Sequence, residues 1–261
     1  MMRLAKLTLA AAAAALAMGL SLAQAAEPLR IGVEGAYPPF SWKEADGTLK
    51  GFDIDIAMAL CDRMGRECEL VEQEWDGMIP ALLARKYDAI IASMSITEDR
   101  KKRVDFSKKY YNTPAKFVAA ENADFDATPE SMKGKVVGVQ RGTIHQCYME
   151  KAFPDTELKL YGTQEEVFLD LTAGRIDASI SDSIQAKQGF LDTDDGKDHA
   201  FLGGVQYLQE CHGEGAGIAV RKGEDELREA FTKAIQDIRA DGTYQQINDK
   251  YFDFDVYGAT E

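Results

Sequence analysis

The sequence predicts an α/β protein with largely parallel sheets, and three observations carry that reading. From Leu29 onward, strand-like and helix-like segments alternate for most of the chain. Apolar runs such as Ala89-Ile90-Ile91-Ala92 are short and continuous, as buried strands are. The alternation breaks at Tyr110-Tyr111-Asn112-Thr113-Pro114 and then starts afresh, so the chain divides into two lobes.

The first residues stand apart from that pattern. Arg3 and Lys6 form a basic start, Leu7 to Leu22 is an Ala/Leu-rich apolar run, and Ala23-Gln24-Ala25 offers a small-x-small cleavage site. Residues 1–25 are therefore expected to be a cleavable export signal. Their loss removes two of the 30 basic residues and none of the 44 acidic ones, which deepens a net charge of −14. Such a chain is a poor partner for nucleic acid or an anionic membrane. No later stretch is apolar for the ~18 residues that a membrane span needs. An exported, soluble monomer without cofactor or metal is expected.

The elements follow in order. Leu29 to Val33 is a first strand, and the Asp46-Gly47 turn leads through Gly51-Phe52-Asp53 into an amphipathic helix, Ile54 to Met64. Glu67 to Val71 is the second strand. Trp75 to Arg85 reads as a helix with Met78, Ile79, Leu82 and Leu83 inward, and the Ala89 to Ala92 strand comes next. The second lobe has strands at Val136 to Val139, Leu158 to Tyr161 and Ala178 to Ile180, a helix opening at Gly142-Thr143 and another over Glu165 to Ala173. Gly213 to Gly217 looks like the way back. Helices Asp225 to Ala240 and Thr243 to Tyr251 then pack on the first lobe, giving lobe one as 26–112 and 213–261 and lobe two as 113–212.

Four cysteines in an exported chain invite disulfides. Cys61 and Cys68 pair most simply, at the end of one helix and the start of the next strand. Cys147 and Cys211 leave three arrangements open: a second disulfide, two buried thiols, or a metal set with His145 and His212. Against the last, residues two apart on a helix face different ways.

The stretch with most chemistry is Ser93-Met94-Ser95-Ile96-Thr97-Glu98-Asp99-Arg100. Thr97 followed by two acids reads as a helix N-cap, so two serine hydroxyls and an arginine sit at a strand-to-helix corner. Free N–H groups and a guanidinium fork favour a carboxylate there. Alone, the stretch would equally suit an ordinary capped loop.

Taken together, Gly51-Phe52-Asp53-Ile54-Asp55-Ile56-Ala57, Ser93 to Arg100, Gly138-Val139 with Gly142-Thr143, Ala173 to Ala178 and Asp241-Gly242-Thr243-Tyr244 resemble the periplasmic polar-amino-acid-binding proteins of ABC importers. The likeness is to their lysine/arginine/ornithine- and histidine-binding branch and spans the chain after the signal. It implies a two-lobed periplasmic binding protein of type II, with two open α/β sheets joined by a two-strand hinge. By the same resemblance, Arg100 and the Ser95 N–H hold a ligand carboxylate, with Thr143 adding N–H groups. Asp182, the Ser93 carbonyl and the Ser95 hydroxyl hold its ammonium. Tyr37 and Trp75 sandwich its side chain, and Glu34 meets a distal cation.

Three positions depart from the usual residues: Ala92 for serine, Ile144 for threonine and His145 for glutamine. Ile144 removes a hydroxyl from the carboxylate end, and His145 is expected to make binding pH-dependent. The function implied is a periplasmic receptor that delivers arginine, ornithine or lysine to an inner-membrane ABC permease complex. Histidine, agmatine and an opine such as octopine are the alternative ligands, and a cyclohexadienyl dehydratase-like enzyme on the same fold is the alternative activity.

Overall fold

The computed structural model describes residues 27–258, so the predicted export signal lies outside the described residues. Two five-stranded sheets form the centres of two lobes. Across the first sheet the strands run Cys68–Glu72, Leu29–Val33, Ala89–Ile90, Ala216–Arg221 and Val104–Tyr111. Across the second they run Glu157–Tyr161, Val136–Gln140, Ala178–Asp182, Ala115–Ala120 and His199–Gln206. A small three-stranded sheet, Ala36–Tyr37, Ser41–Lys43 and Leu49–Lys50, belongs to the segment after the first strand.

The sheets are mixed, which corrects the expectation of largely parallel ones. Leu29–Val33 pairs parallel with both of its neighbours, but Ala216–Arg221 is antiparallel to both of its own. In the second sheet Ala115–Ala120 is likewise antiparallel to both neighbours. The reason is the crossing: the cleft lies beyond the carboxyl ends of the parallel strands, so a strand that arrives from it must run the other way. The chain passes from the first sheet to the second between Tyr111 and Ala115 and returns between Gln206 and Ala216. At the second crossing Gly213 has φ 68°, and a Cβ there would lie 1.9 Å from the Ile96 carbonyl oxygen, so no other residue fits.

Apolar runs in these strands follow from burial on both faces. Ile90 and Ala219 pack with Met78, Leu82 and Tyr87 on one face. Their neighbours Ala89, Ile91, Ile218 and Val220 point the other way, onto Phe52, Ile56, Leu60, Phe231 and Ile238. The two C-terminal helices, Asp225–Ala240 and Thr243–Tyr251, join that same core, as expected.

The Trp75-to-Arg85 segment departs from expectation. It is a 3₁₀ turn, Trp75–Gly77, followed by a short helix, Met78–Leu83, and Leu83 is 43% exposed rather than inward. Arg85 takes a left-handed φ of 59°, which stops the helix early and leaves Leu83 on its outer side. The Ala89 strand is also shorter, because the chain peels away after Ile90 toward the left-handed turn at Ser93, φ 55°.

Both cysteine pairs are disulfides. Cys61–Cys68 closes the helix-to-strand connection. Cys147–Cys211 ties helix Ile144–Ala152 to helix Gln209–His212 across 64 residues of sequence, and its thiols are therefore spent on each other. No helix among the described residues is long and apolar enough to cross a membrane.

Candidate functional site

Between the lobes lies a cavity of about 200 Å³, room for one small solute. Its wall includes Glu34, Tyr37, Trp75, Ser93, Ser95 and Arg100 from the first lobe, and Thr143, Ile144, His145 and Asp182 from the second. All ten residues singled out in the sequence thus meet at one place. Ala92 does not: it is buried beside Met94 and Ile90 in the core beneath the wall. Among the described residues, hydrogen bonds and an ion pair cross from lobe to lobe near or beyond the cavity, so the molecule is closed. Gln140 Nε2 donates to Glu34 at 2.6 Å, and Arg100 Nη2 donates to the Gly142 carbonyl at 3.2 Å. Arg141 pairs with Asp76 at 3.0 Å, and Gln188 donates to the Tyr251 carbonyl at 3.0 Å.

Arg100 follows from local folding. Thr97 caps the short helix Glu98–Lys101, its hydroxyl accepting the Arg100 N–H, and this swings the arginine back toward the strand end. Its guanidinium lies 5.2 Å over the Trp75 ring and donates to the Ser95 carbonyl at 2.9 Å. Burial pulls its pKa down to about 10, which still leaves it charged at neutral pH. Ser95 is fixed from behind by a bridge to Ala216. On the facing lobe, Thr143 caps helix Ile144–Ala152: its hydroxyl accepts the Gln146 N–H and donates to the Gln140 carbonyl at 2.7 Å. A helix N-terminus and a half-buried guanidinium therefore share one end of the cavity, an arrangement suited to a carboxylate.

The acidic groups form a second cluster. Glu34, 6% exposed, follows directly on the first strand; burial pushes its carboxyl up to about 7, with the Gln140 amide pulling the other way and Asp53 adding repulsion. Asp182 is the last residue of its strand and caps the helix that follows, accepting the Ile184 N–H at 2.9 Å. The Thr113 hydroxyl donates to its other oxygen. Burial pushes Asp182 up to about 7 as well, against the backbone N–H bonds of Ile184 and Gln185. A positive charge placed beside them favours the ionised form of each.

Beneath this cluster sits Asp53, which sequence reasoning quoted without giving it a task. Its oxygens accept from the Ser93 and Tyr110 hydroxyls, each at 2.8 Å, while the Ser93 N–H donates to Tyr110 at 3.0 Å. The triangle holds Ser93 in its left-handed turn, a conformation that costs on the order of 1–3 kcal/mol when nothing supports it. Gln140 was missed too, although it ends a second-lobe strand, where open α/β sheets gather ligands. Thr113 lies in the first crossing, and its contact with Asp182 exists only once the lobes are folded. His212, read only as a metal candidate, also lines the cavity.

His145 corrects an expectation. It is buried, and burial, His212 and Arg100 together press its pKa down to about 3. It stays neutral between pH 5 and 8 and supplies no pH switch there. Tyr37 and Trp75 both line the cavity, with Tyr37 stacked on Phe40 at 6.1 Å and Trp75 against Arg100.

Two lobes of matching strand order, closed on a polar cleft at the carboxyl ends of their sheets, define a solute-binding protein. Residues 29–254 match the bacterial extracellular solute-binding proteins, family 3, and the chain belongs to that family. It is 50% identical over 256 residues to the L-arginine-binding protein of Pseudomonas aeruginosa, covering 97% of this chain and 99% of that one. It is 44% identical to the histidine-binding periplasmic protein of Salmonella typhimurium, covering 89% and 90%. Among solved structures, an ancestral arginine-binding protein bound to arginine matches with a TM-score of 0.80 and 38% identity, covering 86% of this chain and 98% of that one. Family and relatives alike are binding proteins, so the chain is not an enzyme.

Proposed function

We propose that this protein is the periplasmic receptor of an ABC importer and takes up a basic amino acid, arginine first, then ornithine or lysine. One observation carries the choice: a single cavity holds a half-buried guanidinium, Arg100, and two buried carboxyls, Glu34 and Asp182. In this reading Arg100, the Ser95 N–H and the N–H groups at Thr143 bind the α-carboxylate. Asp182, the Ser93 carbonyl and the Ser95 hydroxyl bind the α-ammonium. Glu34, oriented by Gln140, meets the side-chain cation between Tyr37 and Trp75. Ile144 supplies no hydroxyl to this site.

Ligand bridges the lobes and shifts an open–closed equilibrium toward the closed form, which docks as a monomer on an inner-membrane permease complex. Residues 1–25 serve export, and the lobe boundaries fall at 112/113 and 212/213. The arginine-binding and histidine-binding relatives support the receptor reading; the acid at Glu34 supports arginine over histidine.

Calorimetric titration of the mature, ligand-stripped protein with arginine, ornithine, lysine, histidine, agmatine and octopine tests it. Tight binding of arginine, ornithine or lysine is expected. Binding of histidine, agmatine or octopine alone would overturn the ligand assignment while leaving the receptor role in place.

A further inference from the structure

Gln140 reaches across the cleft to Glu34 from the last position of strand Val136–Gln140, and its own lobe holds it in place. Its backbone carbonyl accepts the Thr143 hydroxyl at 2.7 Å. Its amide nitrogen donates to Glu34 Oε1 at 2.6 Å and to the Gly162 carbonyl at 3.2 Å, which uses both amide protons. The Gly162 carbonyl can only accept, so the nitrogen must face it and the amide cannot turn over. The residue is 2% exposed and lines the cavity between the lobes.

These bonds fix what the pair has left to offer. The Gln140 amide oxygen accepts nothing among the described residues, yet it is not sealed in as the buried unpartnered atoms of the chain are. Glu34 Oε2 is in the same state, since only Oε1 takes the amide. Two free acceptors, one from each lobe, therefore sit on groups already joined by a hydrogen bond, in residues that both line the cavity. Such a pair discriminates between cations. A guanidinium is a planar fork of five N–H donors and reaches two neighbouring oxygens at once. A lysine ammonium is a compact point charge on a flexible stem, and its attraction is chiefly to the carboxylate.

We propose that Gln140 is a specificity-determining residue: its amide oxygen accepts one N–H of the ligand's guanidinium while Glu34 Oε2 accepts another, and this sets arginine above lysine. The assignment rests on the reading that a basic amino acid fills the cleft with its side chain toward Glu34. Glu34 and Gln140 belong to opposite lobes, so the two acceptors come together only in the closed form. The choice between guanidinium and ammonium is then made on closure rather than on first contact with the open lobe.

The test measures arginine and lysine affinities by calorimetry on wild-type and Gln140→Leu proteins. Leucine keeps the buried bulk and removes the amide. Loss of the donor to Glu34 weakens both ligands alike, whereas loss of the acceptor weakens arginine alone. The wild type is expected to favour arginine, and the arginine-to-lysine ratio to fall about tenfold in Gln140→Leu, the loss of one hydrogen bond to a charged group. An unchanged ratio, or equal losses for both ligands, overturns the proposal and leaves Gln140 as a support for Glu34. A crystal structure of the wild type with arginine decides the matter whether or not the variant folds. Guanidinium nitrogens are expected within hydrogen-bond distance of both Glu34 and the Gln140 amide oxygen, and a guanidinium that meets Glu34 without that oxygen overturns the proposal. Wild-type protein that binds neither arginine nor lysine would instead overturn the functional reading, and this assignment with it.

Discussion

The two ends of the cleft answer burial in opposite ways. At the Arg100 end a half-buried guanidinium keeps its charge, because its ordinary pKa is so high that a fall to about 10 changes nothing at neutral pH. At the Glu34 end burial lifts Glu34, Asp53 and Asp182 to about 7 each, so at neutral pH these carboxyls carry only part of their negative charge. On the function proposed above, the basic end would be charged before the ligand arrives, and the acidic end would be charged by it. A receptor working so would select the carboxylate by a standing field and the cation by induced ionisation.

Removing Arg100 should have the largest effect. Arg100→Ala leaves a ligand carboxylate buried without its partner, and arginine affinity should fall by about three orders of magnitude, given a cost of about 3–5 kcal/mol for breaking a buried charge pair. Calorimetry reads this directly. A loss below tenfold would mean that the helix at Thr143 alone carries the carboxylate.

Glu34→Gln should weaken arginine, ornithine and lysine by about tenfold to 150-fold, as for one hydrogen bond to a charged group. It should leave ligands with a neutral side chain unaffected, which separates the acidic end from the shared zwitterion contacts.

The pH response probes the same end without a substitution. Glu34 and Asp182 have pKa values near 7 without ligand, and a bound cation lowers them, so binding near pH 6 should release protons. Arginine affinity should then fall as pH drops from about 8 to 5, by at most about tenfold per pH unit for each carboxyl involved. Calorimetry in buffers of differing ionisation enthalpy counts those protons. Proton uptake on binding would contradict the induced ionisation of the acidic end. His145→Gln should leave this pH profile unchanged, since His145, pressed to about 3, does not titrate in that window.

Much of this asymmetry was legible in the sequence. The Ser93-to-Arg100 stretch announces its corner through local chemistry, namely Thr97 as a cap with an arginine one turn on. Glu34 follows, and Asp182 ends, a strand whose apolar run is plain. What was not legible depends on pairing between distant segments. The antiparallel returns of Ala115–Ala120 and Ala216–Arg221 follow from the route of the chain through the cleft, which no local periodicity encodes. Asp53 reaches Ser93 across 40 residues, Gln140 reaches Glu34 across 106, and Cys147 reaches Cys211 across 64. His145 looked like a pH sensor because its type titrates near neutrality, and only its burial beside Arg100 removes that role.

The claim that the acidic end recognises a side-chain cation while Arg100 holds the carboxylate comes down to one comparison of ligands. Citrulline, the uncharged analogue of arginine, isolates that claim. The ratio of arginine to citrulline affinity, measured by calorimetry on wild-type and Glu34→Gln proteins, is the most direct test. A strong preference for arginine is expected in the wild type and should largely disappear in Glu34→Gln. Equal affinity for the two ligands in the wild type, or a preference untouched by the substitution, would contradict it.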